Sequence, residues 1–332
     1  MDTSGTINLQ YSTIKNPLPD FIYEGLQKFS NGANLYRPQP QQLVEKLTRK
    51  HNIPKEMIYL TAGCDEAIQM FAHAYGRHAY IFTPTYTVYT DVEVFGGKLT
   101  QLYSLTNDAY SIRIQPYPEA TLIYLANPNN PSGFTQKKNV IELIKANAHA
   151  IVVIDEAYGD FADLSVVDEV INYPHMAVFR SFSKSYGMAG NRIGYVIAHP
   201  HVIERVKKYS QWANVSYLSV GAAMVALDHE KYFIKMREDI SKRRDQFLSF
   251  LKTLKFSVFP SYINATLIKF PTETEAIQFV AYLKDNNIIC SHGNGNSNVG
   301  LTASFVRFAI GTEEQMIYVQ KVLQNYNYRK II

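Results

Sequence analysis

Between residues 57 and 198, seven short apolar runs alternate with helical patterns, and this alternation constrains the fold more than any other feature. The runs are Met57–Thr61, Ala79–Phe82, Leu99–Tyr103, Thr121–Ala126, Ile151–Asp155, Met176–Ser181 and Arg192–Ala198. Several, IVVID above all, are apolar at consecutive rather than alternate positions. A strand apolar on both faces has to be covered on both, and helices between such strands supply the cover. The pattern predicts an α/β fold with a mostly parallel sheet between helices. Helical patterns fall at Gln41–His51, where Leu43, Val44 and Leu47 form one apolar face, and at Asp65–Tyr75, Tyr86–Phe95 and Val140–Ala146.

Outside this stretch the pattern changes. The first residues hold the breakers Pro17, Pro19 and Gly32 and one short helical segment, Asp20–Phe29. After Pro200 come long helical patterns at Pro200–Gln211 and Lys231–Leu254. Short strands follow near Phe256–Phe259, Thr266–Phe270, Ile288–Cys290 and Val306–Ile310, with helices at Glu273–Asp285 and Glu313–Gln324. This is an α+β pattern. It divides the chain into an arm, 1–34, that packs with a smaller domain, 229–332, and a large domain, 35–228. The stretch HGNGNSNVG, His292–Gly300, reads as a Gly/Asn-rich loop and as the candidate flexible segment.

Composition narrows the function. A length of 332 residues suits about two domains. The charges, 33 Lys and Arg against 29 Asp and Glu, nearly balance, and no basic run exceeds Lys242-Arg243-Arg244, so nucleic acid is not an expected partner. No apolar stretch approaches the ~20 residues that span a bilayer, and MDTSGTINLQYS has no charged-then-apolar leader pattern. The expectation is a cytoplasmic protein without membrane association. Cys64 and Cys290 make no disulfide framework and lie in no zinc-ligand spacing, so no metal is expected. There is no GxxxxGK[ST], HExxH or GxSxG, and no GxGxxG between a strand and a helix.

Ligands of parallel α/β sheets bind outside the carboxyl ends of the strands, so the residues there are the functional candidates. Past one end, FRSFSK presents Lys184 among Ser181 and Ser183, with Arg192 further on. Two hydroxyls and a guanidinium suit a phosphate, and a desolvated amine beside an Arg shifts toward its neutral, nucleophilic form. A second run ends in Asp155, with Tyr158 three residues on. A carboxylate there needs a cationic or hydrogen-bonding partner. A third end is the rigid turn NPNNPSG, which can present Asn127, Asn129 and Asn130. A fourth, at Gly63 and Cys64, opens a helix whose free N–H groups favour an anion. At the fifth, Tyr86 follows Pro84. Taken singly, these read as a loop lysine, a turn cap, a turn, a plain helix start and a packing aromatic. Together they describe a phosphate site, an acid for a ring nitrogen, an amide or phenol for a ring oxygen, a stacking ring and an amine for an aldehyde. That set describes pyridoxal 5′-phosphate (PLP).

With NPNNPSG, IDEAY and SFSK in this order, and Arg192 eight residues after Lys184, the sequence resembles fold-type I, aspartate-aminotransferase-like PLP enzymes, and among them the histidinol-phosphate aminotransferases. YRPQP from Tyr36, GCDE from Gly63 and PTY at Pro84 fit the same family. The resemblance implies a PLP-binding large domain with a mostly parallel sheet and a smaller α+β C-terminal domain. It implies that Lys184 forms a Schiff base with PLP and carries the reacting proton, and that Asp155 pairs with the ring nitrogen. Asn130 and Tyr158 would bind the ring oxygen, and Tyr86 would stack on the ring. Gly63, Cys64, Ser181, Ser183 and Arg192 would bind the phosphate. Tyr36 would reach the phosphate and substrate of a neighbouring subunit, making a homodimer with shared active sites. SFVRFAIGT implies that Arg307 clamps the substrate α-carboxylate, and SYINATLIKF that Asn264 lines the site.

The implied activity is transfer of an amino group between an amino acid or amine and a 2-oxo acid. A phospho-amino acid decarboxylase-like lyase uses the same scaffold. A PLP-binding protein without catalysis would need a regulatory segment that the sequence does not show. Two motifs depart from the family. The N-terminal N-x-N-E-N-P-x-G reads NLQYSTIKNP, with Asn8 in register. Where histidinol-phosphate aminotransferases carry an Arg for the substrate phosphate, the sequence NIICSH sets Ser291, with His292 beside it. A phosphorylated substrate is therefore not implied as firmly as the cofactor.

Overall fold

The computed structural model describes residues 5–107, 109–295 and 297–326. All seven runs are strands of one sheet: β1 (Ile58–Thr61), β2 (His78–Thr83), β3 (Lys98–Tyr103), β4 (Leu122–Ala126), β5 (Ile151–Asp155), β6 (Met176–Ser181) and β7 (Gly194–Ala198). Their order is β1-β7-β6-β5-β4-β2-β3. β7 runs antiparallel to both neighbours, and the other pairs are parallel. Every residue of β4, β5, β6 and β7 is buried, whereas β3, at the edge, is partly exposed.

Because successive strand side chains point to opposite faces, each central strand feeds two cores. Ile123, Leu125, Val152, Ile154 and Val178 join helices Gln41–His51 and Lys137–Ala146 in one core. Leu122, Tyr124, Ile151, Val153 and Phe179 join helix Gly63–Tyr75 in the other. Helix Tyr217–Asp228 also covers the first face. Its sequence, YLSVGAAMVALD, is apolar round most of its circumference, so no amphipathic stripe marks its limits.

The C-terminal sheet is antiparallel: β8 (Ser257–Val258), β9 (Ala265–Lys269), β10 (Ser291–His292) and β11 (Phe305–Ala309), in the order β8-β9-β11-β10. Helices Glu230–Thr253, Glu273–Asp285 and Glu313–Gln324 enclose its core, where Phe308 meets Phe247 and Phe279 edge-on. Thr312 opens the last helix with a capping box: its hydroxyl accepts from the Gln315 N–H, and the Gln315 side chain accepts from its own. From the N-terminal arm, Ile7–Asn8 pairs in parallel with Ile288–Ile289, and Leu9 accepts from the Ala309 N–H.

Three sequence expectations change. Tyr86–Phe95 is not one helix: Thr85–Tyr86 is held extended by pairing with Asn298–Val299, and only a 3-10 turn, Thr87–Thr90, and one helical turn, Asp91–Val94, follow. The same pairing means that His292–Gly300 is not a free loop. Arg192 precedes β7 rather than starting it, in a left-handed conformation with φ 49°. No helix among the described residues is long and apolar enough to cross a membrane.

Helices Asp20–Ser30 and Tyr217–Asp228 cross at contact distance through glycines. A Cβ on Gly221 would lie 2.4 Å from Phe29 Cγ and 2.8 Å from its Cβ, and one on Gly25 would lie 2.4 Å from Val225 Cγ2. A Gly to Ala change inside a helix ordinarily stabilises by about 0.5–1 kcal/mol. Here overpacking, which costs about 1–3 kcal/mol, should win. Gly221→Ala should lower stability in urea titration, and a gain would show that the helices part without cost.

Candidate active site

Nine of the sequence-selected residues line one pocket at the carboxyl rim of the large sheet: Cys64, Tyr86, Asn130, Asp155, Tyr158, Ser181, Ser183, Lys184 and Arg192. The pocket opens to solvent and encloses about 620 Å³ of non-atom space. It exists because β1, β4, β5 and β6 all end on this rim.

The carboxylate of Asp155 lies at the end of β5 and is 5% exposed. It accepts from the Tyr89 hydroxyl at 2.7 Å and from the Ala157 N–H at 2.9 Å. Both donors are neutral. Burial therefore dominates and pushes its pKa up to about 6, against the pull of those two hydrogen bonds. Such a group is held ionised by a cation brought to it, and a protonated ring nitrogen is one. Behind it, Glu156 accepts from Arg180 at 2.8 Å, and Arg180 also pairs with Asp160. This buried ionic set ties the ends of β5 and β6 together. Lys184 also lines the pocket, its Nζ 5.6 Å from the centre of the Tyr158 ring.

The rim beside β1 is shaped for an anion. Gly63 has φ +80°, and a Cβ on it would stand 2.6 Å from Arg192 Nη2. Only glycine allows the guanidinium to close over this turn and leaves the first N–H groups of helix Gly63–Tyr75 open to the pocket. Ser181 caps the next turn by accepting from the Ser183 N–H at 3.0 Å. Asp65 accepts from Arg192 at 2.7 Å and from the Tyr86 hydroxyl at 2.8 Å, which fixes both side chains at the rim. Burial and Asp65 push the Tyr86 phenol well above its usual range, so it stays protonated.

Arg307 lies behind the pocket on β11, 2% exposed. It donates to Asn130 Oδ1 at 2.5 Å and to the Gln10 carbonyl at 2.8 Å, and its buried Nε has no partner among the described residues. Asn264 reaches the same arm, donating to the Ser12 carbonyl at 3.0 Å, while its buried Oδ1 is unpartnered. Tyr36 stands outside the pocket, 83% exposed, with its ring 5.7 Å from that of Trp212. Ser291 is buried beside Arg307 as its β10–β11 partner, and His292 bonds to the Ala303 carbonyl.

Sequence reading assigned no role to Tyr89, Asp65, Asn298 or Ser12. Ser12 lies 2.5 Å from the Tyr158 hydroxyl, and Asn298 accepts from Asn130 at 3.3 Å. Tyr89 and Asp65 sit within motifs already singled out. Nothing local marks Ser12 or Asn298, whose partners are far away in sequence.

The raised pKa of Asp155 has a stability consequence. With the folded value near 6 and the unfolded value near 3.9, the folded chain without ligand binds the extra proton between them. Stability contributed by the neutral acid is present below pH 4 and lost as pH rises through 6. The stability of Asp155→Asn relative to the parent should rise over that window by up to about 3 kcal/mol and then level off. A pH-independent difference in urea titrations would contradict the burial of this charge.

Residues 7–323 match the family model for aminotransferase class I and II. The histidinol-phosphate aminotransferase of Geotalea uraniireducens is 30% identical over 307 residues, 91% of this chain and 85% of that protein. The structure of histidinol-phosphate aminotransferase from Sinorhizobium meliloti, in complex with pyridoxal-5′-phosphate, superposes with a TM-score of 0.87 at 20% identity, covering 98% and 92% of the two chains. That of L-threonine-O-3-phosphate decarboxylase from Porphyromonas gingivalis superposes with 0.84 at 22% identity, covering 96% and 98%. These two structures share the fold of this chain, although one is named a transferase and the other a decarboxylase. From the rim-built pocket and the match over nearly its whole length, the chain belongs to the class I and II aminotransferases.

Proposed function

We propose that the chain is a PLP-dependent, histidinol-phosphate aminotransferase-like enzyme that moves an amino group between an amino acid or amine and a 2-oxo acid. The observation that carries this reading is one pocket lined by both an amine, Lys184, and a buried carboxylate, Asp155, whose hydrogen-bond donors among the described residues are neutral. The residues fit the cofactor. The Gly63 turn, Ser181, Ser183 and Arg192 suit its phosphate, Asp155 its ring nitrogen, Asn130 and Tyr158 its ring oxygen, and Tyr86 its ring face. When bound, PLP supplies an electron sink that weakens the bonds at the substrate α-carbon.

The chain's own residues do the rest. Lys184 would hold the cofactor through Nζ, and the same Nζ would take up the substrate α-proton and return it, the proton movement that transfer of an amino group requires. Asp155 would face the ring nitrogen and favour its protonated form. Arg307, buried and without a carboxylate partner among the described residues, is suited to take the substrate α-carboxylate in a two-pronged contact, displacing the Gln10 carbonyl. Support for a homodimer is the exposed aromatic surface of Tyr36 and Trp212, which lies away from the chain's own pocket and suits a partner's site. The arm (1–34), large (35–228) and small (229–332) divisions and a cytoplasmic location belong to the same proposal. A lyase reading shares every cofactor contact, and the family match favours transfer.

Two substitutions test the roles. Lys184→Ala should still bind PLP, now released on dialysis, and should lose at least about a thousandfold in turnover, the scale of a lost general acid–base group. Activity near that of the parent would remove Lys184 from the chemistry. Arg307→Lys keeps the charge and loses the fork. It should raise KM for the amino acid about tenfold or more, as expected for a lost charged hydrogen bond, and an unchanged KM would place the carboxylate elsewhere.

A further inference from the structure

The arm brings a cation, Lys15, near this site, within the stretch NLQYSTIKNP that departs from the family's N-terminal motif. Lys15 is half-buried, and its neighbours fix its place. Ser12 lies against the Tyr158 hydroxyl, and its carbonyl accepts from Asn264. Ile14 touches the turn just past Lys184: a Cβ on Gly187 would lie 3.3 Å from it. Residues 12–15 thus run from Tyr158 to the turn that follows Lys184.

Lys15 Nζ donates to the Tyr11 carbonyl at 3.1 Å and to Thr13 Oγ1 at 2.9 Å. Among the described residues, no carboxylate lies within ion-pair distance of Lys15, Lys184 or Arg307. Burial and the nearby Lys184 ammonium pull the Lys15 pKa down to about 8, the direction expected for a cation facing a cation.

The charges in the site can be assigned one by one. Arg192 is paired with Asp65 and belongs to the phosphate turn. Asp155 answers the ring nitrogen, and Lys184 is used by the cofactor. Arg307 takes one substrate carboxylate. Lys15 is left over. The C-terminal sheet offers no second cation beside Arg307, because its partner there, Ser291, is uncharged and buried. Arg307 and Lys15 hold consecutive carbonyls, those of Gln10 and Tyr11. The α-carbons of those residues are about 3.8 Å apart, so the two cations flank one short stretch of the arm. A molecule with two anionic ends is suited to replace that stretch.

Resting on the aminotransferase reading above, we propose that Lys15 is a specificity-determining residue that recognises a carboxylate or phosphate on the side chain of the amino substrate, while Arg307 holds the other end. The ammonium exchanges the Tyr11 carbonyl for the anion, so charge is neutralised only when a substrate of this class is bound. Uncharged amino acids leave Lys15 on the arm and gain nothing from it.

The test compares half-reactions of the PLP-loaded enzyme with L-glutamate, O-phospho-L-serine and L-norleucine, whose side chain is uncharged, followed by cofactor absorbance, in the parent, Lys15→Ala and Lys15→Arg. Lys15→Ala should raise the apparent KM for at least one anionic substrate about tenfold or more, leave the limiting rate within about twofold, and leave norleucine unchanged. Lys15→Arg should recover most of the loss. A defect confined to glutamate identifies a side-chain carboxylate, and one confined to O-phospho-L-serine identifies a phosphate ester. Equal losses on all three substrates, or no loss on either anionic one, would overturn the assignment. The cofactor reading would still stand if the norleucine reaction and the absorption band persist.

Discussion

The carboxylate of Asp155, buried at the end of an entirely buried strand, is the constraint on which the rest of the site depends. Removing a carboxylate from water costs several kcal/mol unless a positive group or several donors compensate. The chain supplies only a phenol and one N–H. The Glu156–Arg180–Asp160 set beside it shows that the fold sets a guanidinium against buried acids elsewhere. Among the described residues no cation lies within ion-pair distance of Asp155, which lines the pocket together with Lys184. The fold thus holds an acid in a state that a cofactor completes.

The same economy of partners recurs around the pocket. Arg307 is buried with amide and backbone acceptors in place of a carboxylate, and its Nε is unpartnered. Lys15 and Lys184 have no acidic partner within ion-pair distance among the described residues. The N-terminal arm reaches these groups through the Gln10 carbonyl on Arg307 and through Ser12 on Tyr158. The arm also joins the C-terminal sheet at Ile7–Leu9, while helix Asp20–Ser30 packs on helix Tyr217–Asp228. It is therefore tied to structure on both sides of the site it covers. Its Gln10 and Tyr11 carbonyls accept from Arg307 and Lys15, the two cations proposed to take substrate anions.

The sheet was legible because its signal is local. Apolar runs such as IVVID and MAVFRS need both faces covered, and β5 and β6 span the same residues as the runs that announced them. The residues at the carboxyl ends were legible for the same reason, since a polar or charged side chain directly after a buried strand stands out. What the sequence hid depends on contacts between distant segments. Asn298 lies in a Gly/Asn-rich stretch that reads as free loop, yet it pairs with Tyr86 and bonds to Asn130 and Arg307. Ser12 and Lys15 sit in a stretch without periodicity and gain meaning only when the arm crosses Tyr158. The direction of β7 was also hidden, because an apolar strand reads alike in either orientation.

The most direct measurement is the absorbance of the purified protein, loaded with PLP and titrated with L-glutamate. The account predicts a band above about 400 nm that falls as a band near about 330 nm rises, the signature of the cofactor accepting an amino group. A protein that develops no band with added PLP would contradict the central claim that Asp155, Lys184 and the Gly63 turn together form a cofactor site.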